Sequence, residues 1–192
     1  MIKSFNIKII QVCFKMNLNE CARENITFFK VSDKDLVPLK NWVETSHVRR
    51  WWSDSWSDKA YQDISDITKD VFVDSSMIIR IRDIPIGLSQ VYSSSSSFET
   101  ALGFDECGIR FFIGNPVYLK QKIGRAVIKE LAKEIFRRTQ FERIICEPQA
   151  DNWPAIITLK RAGFRDHGRV QRPNCNLVRL SLVRGLHRQQ SK

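Results

Sequence analysis

Gly108–Phe136 reads GIRFFIGNPVYLKQKIGRAVIKELAKEIF, and the order of residue types in it decides the architecture. Gly108–Ile113 is dominated by Ile and Phe, the composition of a strand. Ile123–Phe136 places Ile123, Val127, Ile128, Leu131 and Ile135 on one face, and that spacing predicts an amphipathic helix. The joining loop, Asn115–Lys122, delivers Gly124, Arg125 and Ala126 into the first helical turn. N–H groups there lack intrahelical partners, and the dipole end is positive. Small residues flanked by Lys120, Lys122 and Arg125 therefore make a seat for a pyrophosphate. Many helices begin near Gly and Lys, so this turn alone leaves an ordinary helix start open.

Working outward, Ile26–Val31 reads as a strand, and Pro38 fits the first turn of a helix to about Glu44, with Leu39, Trp42 and Val43 as its apolar stripe. Ser46–Trp52 reads as a loop that sets Trp51 and Trp52 side by side. Ser53–Asp70 is polar, with Trp56, Tyr61, Ile64 and Ile67 spaced like a weak amphipathic helix. Met77–Arg82 and Ile86–Tyr92 flank a turn at Asp83-Ile84-Pro85 and form a hairpin; the five serines Ser93–Ser97 form a surface loop. Arg143–Cys146 reads as a strand, Pro154–Ala162 as a short helix ending at Gly163, and Leu177–Val183 as the last strand. Strands alternating with helices, with a hairpin among them, predict an α+β fold: a mixed central sheet flanked by helices. The chain has 192 residues, a length that suits one domain, read here as residues 26–192 behind an N-terminal extension, residues 1–25.

Composition narrows the function. Twelve Phe and five Trp supply core enough to exclude general disorder. No run of about 18 uncharged apolar residues exists, which excludes a membrane-spanning helix. Residues 1–14 are mildly apolar but broken by Lys3 and Lys8, and read as an extension and not a signal peptide. Five cysteines without a CxxC pair, and three isolated histidines, read as free thiols in the cytoplasm with no metal site. The formal net charge is +10, and residues 160–192 hold nine Lys/Arg against one acid, Asp166. That segment carries +8 and leaves +2 for the rest, so the body of the protein is nearly balanced. A basic end binds an anionic cofactor, nucleic acid or water alone.

Further motifs follow in order: Ser46-His47-Val48 before Trp51-Trp52, Pro85-Ile86-Gly87, Gly108-Ile109, Ile113-Gly114-Asn115-Pro116, Glu147-Pro148-Gln149-Ala150-Asp151-Asn152, and Arg161-Ala162-Gly163-Phe164. With the helix periodicity in register, residues 39–170 resemble the GNAT acetyltransferases, and within them the aminoglycoside 6′-N-acetyltransferase and siderophore lysine acyltransferase branch. The resemblance implies acetyl-CoA as co-substrate and a small primary amine as acceptor, first of the aminoglycoside class. A hydroxylysine-type siderophore precursor comes second and a protein amine third. It suits a monomer or homodimer that uses neither membrane nor nucleic acid. A GNAT-like acyl-CoA-binding module without catalysis, or nucleic-acid binding through the basic end, are the readings from other classes.

The resemblance also assigns residues. Main-chain groups of Phe111, Phe112 and Ile113 would pair with the pantetheine arm. Lys120, Gln121, Lys122, Ile123, Gly124, Arg125 and Ala126 would wrap the pyrophosphate. Two registers compete for the family's Gly-x-Gly: Gln121-x-x-Gly124-x-Ala126 reads better as a string, whereas Lys122-Ile123-Gly124 keeps the apolar stripe inward and is preferred, with Lys122 replacing a glycine. Asn152 matches the pantetheine-binding asparagine or is simply a helix N-cap. Leu159 stands where many members carry a tyrosine acid. Arg110 stands where aminoglycoside enzymes carry Asp, and a cation there repels a polycation unless acids outweigh it. The acids in sequence are Glu99, Asp105, Glu106, Glu147 and Asp151. Of these Glu147 is the expected base, with Asp105 the second catalytic candidate and Asp151 on the substrate side. Trp51, Trp52, Tyr92 and Arg110 are expected to line the acceptor pocket. An extended backbone at 51–52 would send one tryptophan to the core.

Overall fold

The computed structural model describes residues 26–52, 75–93, 105–172 and 175–185. The expected helix over Ser53–Asp70, the loop residues 94–97, the extension 1–25 and Glu99 lie outside them.

Seven strands form one sheet in the order β1-β2-β3-β4-β5-β7-β6. They are β1 Ile26–Lys30, β2 Ser75–Ile81, β3 Ile84–Ser93, β4 Glu106–Ile113, β5 Arg143–Cys146, β6 Arg165–Arg172 and β7 Cys175–Val183. Neighbours run antiparallel except β4 and β5, which are parallel and joined through a crossover helix. The helices are α1 Leu36–Glu44, α2 Ser46–Trp52, α3 Ile123–Arg138 and α4 Trp153–Ala162.

Alternation along the strands divides the core in two. Ile79, Val91, Ile109 and Ile113 point to one face and pack with Ile123, Val127, Ile128 and Leu131 of α3 and Ile156 and Leu159 of α4. Ile78, Leu88 and Phe112 point to the other face and pack with Leu39, Trp42, Val48 and Trp52 of α1 and α2. Asp35, buried just before α1, pairs with Arg80 of β2 at 2.9 Å and ties that helix pair to the sheet.

Two segments differ from the sequence reading. Ser46–Trp52 is helix α2 and not a loop. Thr45 leaves helical geometry at φ −68°, ψ 140°, and its carbonyl accepts from Val48 N (3.1 Å) and Arg49 N (2.8 Å), so the chain breaks for one residue and restarts. The signal was Val48 and Trp52, four apart and both buried. Strand β6, one of the sheet's two edges, had no sequence signal because exposed Arg165, His167 and Arg169 stand where an apolar alternation would be. Charge there blunts edge-to-edge pairing. The hairpin turn also moves: Arg82 and Asp83 take φ 49° and 68°, while Ile84 and Pro85 belong to β3.

Three cations of the basic end are paired inside the fold. Arg184 donates to the carbonyls of Thr139 (2.8 Å), Phe141 (2.6 Å) and Phe136, closing the carboxyl end of α3 with a cation where the helix dipole favours one. Lys160 pairs with Asp166 at 2.8 Å, and Arg179 pairs with Glu147 at 2.7 Å.

Candidate active site

β4 and β5 pair only at Glu106–Gly108 with Arg143–Ile145. β4 then continues to Ile113, while β5 ends at Cys146 and turns toward α4. Among the described residues no strand lies against the β5-facing edge of Phe111–Ile113, so the strands open as a V. Gly114 N and Asn115 N both donate to Ile86 O on β3, at 2.8 and 3.0 Å. In a trans peptide the Ile113 carbonyl points the opposite way, into the V. His47 Nε2 of α2 reaches that carbonyl at 3.1 Å. From the sequence this histidine is read only as part of the Ser46-His47-Val48 motif and has no role of its own.

At the wide end of the V stands the start of α3. Lys122 is left-handed, φ 64° and ψ 9°, and Lys120 has φ 61°. A left-handed residue followed by a right-handed helix gathers successive N–H groups into a concavity that suits an anion. Ile123, Val127, Ile128 and Leu131 are buried, so the helix sits in the register that makes Lys122-Ile123-Gly124 the turn. Lys122 holds the backbone conformation that glycine would adopt at lower cost. A Cβ on Gly124 would meet nothing closer than Thr158 Cγ2 at 3.5 Å. Packing therefore does not demand glycine there, and the missing side chain leaves room for a phosphate. Lys120, Gln121, Lys122 and Arg125 are exposed around this turn, and Ala126 is half-buried against the core. Gln121 Nε2 donates to Val117 O at 2.5 Å, bracing the loop. Asn152 Oδ1 accepts from Ala155 N at 3.2 Å, so its oxygen caps α4 and its amide nitrogen is the part a ligand can meet.

At the narrow end, five segments bring side chains together on the α2 face. Arg110 lies 4.8 Å over the Trp52 ring, and its Nε donates to Gln90, itself buried and bonded to Ser76 Oγ at 2.9 Å. Trp52 is buried and packs edge-on against Phe112 at 4.7 Å, whereas Trp51 is half-buried beneath Arg50 at 4.5 Å. A helix, not an extended backbone, separates the two rings. Glu147 is buried with a side chain 1% exposed, held by Arg179 of β7. Arg179 was missed; its signal, a charged residue inside an alternating apolar strand, is common to many surface strands.

Tyr92 ends β3 opposite Gly108. A Cβ on Gly108 would stand 2.1 Å from the Tyr92 ring, so the glycine is what lets the phenol lie across β4. Burial pushes the Tyr92 phenol well above 10; the neighbouring Cys146 thiol and Glu147 carboxylate push the same way, and Arg110 opposes them. Burial, with Glu147 beside it, pushes the Cys146 thiol from 9.0 up to about 12. Both stay protonated near neutrality. Leu159 is fully buried in the core and offers no proton. Asp151 is exposed in the loop before α4. Asp105 is exposed at the far end of β4, its carbonyl accepting from Glu142 N at 2.8 Å, a strand's length from the turn before α3. Among the described residues no three His, Cys, Asp or Glu side chains converge as a metal site.

Residues 31–172 match the family described as the acetyltransferase (GNAT) domain. The chain belongs to the GNAT acetyltransferases. It is an N-acetyltransferase, and acetyl-CoA is its acetyl donor. Among curated proteins it is similar to aminoglycoside N(6′)-acetyltransferase type 1 of Klebsiella pneumoniae and of Serratia marcescens, each 24% identical over 161 residues and covering 80% of both chains. Among solved structures, an uncharacterized Bacillus halodurans protein superimposes with a TM-score of 0.78 at 18% identity, covering 93% of this chain and 94% of its own. An aminoglycoside acetyltransferase in complex with coenzyme A gives a TM-score of 0.74 at 21% identity, covering 88% of this chain and 100% of its own. These structural likenesses establish the GNAT fold. Among the described residues no helix of this GNAT protein is long and apolar enough to cross a membrane.

Proposed function

We propose that this protein transfers the acetyl group of acetyl-CoA to the primary amine of a small molecule, of the aminoglycoside 6′-amine kind. The observation that carries the reading is the V between β4 and β5, with an anion seat at its wide end and Tyr92, Arg110, Trp52 and Glu147 at its narrow end. The aminoglycoside N(6′)-acetyltransferase activity of the relatives supports the acceptor class. The other face of β4 is filled by α3 and α4, so the amine enters from the α2 face.

Bound acetyl-CoA supplies a thioester whose carbonyl carbon the amine attacks. The chain's part is mostly placement: N–H groups of residues 122–124 and the charges of Lys120, Lys122 and Arg125 hold the phosphates, and the open edge of Phe111–Ile113 pairs with the arm. Holding both reactants in attack geometry supplies much of the rate, and N–H groups of β4 aimed at the carbonyl supply more. Glu147 accepts a hydrogen from the acceptor ammonium. Arg179 beside it fixes its orientation, and the proton passes on to water. The free thiols Cys146 and Cys175 support a cytoplasmic setting.

Arg110 favours a second reading, an amine that also carries an acid, such as a hydroxylysine-type siderophore precursor. A guanidinium stacked on Trp52 and bonded to Gln90 is a preorganised anion contact. Release of CoA thiol over a panel of amines tests both. Aminoglycoside turnover that rises in Arg110→Asp supports the first reading, and selective turnover of acidic amines that falls in Arg110→Ala supports the second. No thiol release with any amine, and no thermal shift with acetyl-CoA, removes both.

A further inference from the structure

The groove has a closed end. β5 joins β4 at Gly108–Ile145, four residues short of the open edge's midpoint at Phe112. From Ile113 back to Ile109 the open edge spans about 13 Å at ~3.3 Å per residue. An arm that enters beside the α3 start and runs along this edge brings its thioester to the Gly108 end. What stands there is Tyr92. With a Cβ on Gly108, Tyr92 Cε2, Cζ and Oη would lie 2.1, 2.2 and 2.6 Å away, so ring and hydroxyl both rest on the Gly108 Cα. The hydroxyl is buried, and the residue as a whole is half-buried. The tyrosine therefore lies across β4 on the α2 face, at the point where the strands part.

We propose that the Tyr92 hydroxyl donates a hydrogen bond to the departing sulfur at the closed end of the groove. The proposal rests on the acetyl-transfer reading above. In that step the amine lone pair forms the C–N bond and the C–S electron pair leaves on sulfur. The nitrogen's extra proton passes to water, and Tyr92 keeps its own. A phenol held above 10 does not surrender its proton to a thiolate whose conjugate thiol titrates near ~8.5. A hydrogen bond to an anion without transfer is the stabilisation that remains. Gly108 then has a positioning role, since any side chain there displaces the phenol.

The test uses CoA itself, with and without turnover. The thiol of bound CoA is titrated by its ultraviolet thiolate absorbance in the wild-type protein and in Tyr92→Phe. We expect it to titrate about one pH unit lower in the wild type, and kcat to fall about tenfold in Tyr92→Phe with KM for acetyl-CoA unchanged. Gly108→Ala, which keeps every Tyr92 atom but moves the ring, should reproduce the shift and covers the case in which Tyr92→Phe folds poorly. Equal thiol titration in wild type and both variants, with CoA bound in all, overturns the role of Tyr92 and leaves the acetyl-transfer reading standing. Failure of CoA to bind the wild-type protein overturns that reading instead.

Discussion

The two ends of the groove are built from different materials. The wide end is backbone: a left-handed Lys122, the unpartnered N–H groups of a helix start, and an absent side chain at Gly124. Its neighbouring lysines and Arg125 are exposed and exchange freely with water. The narrow end is side chain. Arg110, Gln90, Trp52, Glu147, Arg179 and Tyr92 come from β4, β3, α2, the loop after β5 and β7, and several are buried. A backbone site tolerates substitution of what surrounds it, whereas a site of interlocked polar side chains couples binding to stability. The contrast is open to direct attack, beginning where the effect should be largest.

Arg179→Ala leaves the Glu147 carboxylate buried without its 2.7 Å partner. Removing one member of such a pair costs about 3–5 kcal/mol. We expect urea denaturation to show a loss of that order, and Arg179→Ala with Glu147→Gln to recover part of it. A loss below about 1 kcal/mol would mean that Glu147 is solvated in solution, and the distinction between the two ends would weaken.

Gly124→Ala should do the reverse. Alanine is favoured over glycine in a helix by about 1 kcal/mol, and the new Cβ meets only an ordinary contact at 3.5 Å. The melting temperature should rise slightly. Affinity for CoA, read by calorimetry, should fall about tenfold as the Cβ takes the phosphate's space, a loss of ~1.4 kcal/mol. Equal affinity would remove the glycine from the cofactor seat.

High pH isolates the narrow end. Cys146 has its folded pKa raised from 9.0 to about 12, and Tyr92 is raised above 10. Raised acids bind protons more tightly when folded, so their contribution is complete below the unfolded values and is lost as pH climbs. For Cys146 the window runs from pH 9 to 12. Stability should fall there by up to about 1.4 kcal/mol per pH unit for each group. Cys146→Ala should flatten the slope, whatever it costs at neutral pH. An unchanged slope would mean that the thiol is not desolvated.

How much of this was readable beforehand follows the same division. The wide end was legible because helix periodicity and a glycine-bearing first turn are local in sequence, and the buried stripe Ile123–Leu131 even chose the register. The central strands were legible for their β-branched and aromatic runs. Edge strand β6 was not, since its residues 165–169 are all exposed and carry no apolar alternation, whereas the other edge, β1, buries Ile26 and Phe28 and was legible. Nor was α2, where Val48 and Trp52 carry a two-residue stripe too short to show a period. At the narrow end single residues were legible and their partners were not. Glu147, Tyr92 and Arg110 stood out by position, but the Glu147–Arg179 pair joins residues 32 apart in sequence, Arg110–Gln90 joins residues 20 apart, and the His47 bond to Ile113 joins residues 66 apart. No local pattern encodes which long-range partner a charge will find.

The smallest expected effect tests whether the wide end is as purely backbone as it looks. Lys122 sits at φ 64° with its side chain exposed, a conformation that costs a non-glycine residue about 1 kcal/mol. Lys122→Gly removes that strain and removes a charge beside the anion seat. If the backbone does the binding, the variant should melt slightly higher and bind CoA at physiological salt within about threefold of the wild type. Its affinity should also fall less steeply with added salt, because one fewer cation is screened. A lysine that instead contacts phosphate directly would show as a loss of tenfold or more, with restoration by Lys122→Arg and none by Lys122→Asn. Asparagine is the informative control, because it tolerates the left-handed region while lacking the charge. Strain and charge are thereby varied separately at one position, and whichever dominates says whether lysine stands in for glycine here at a cost or for a purpose.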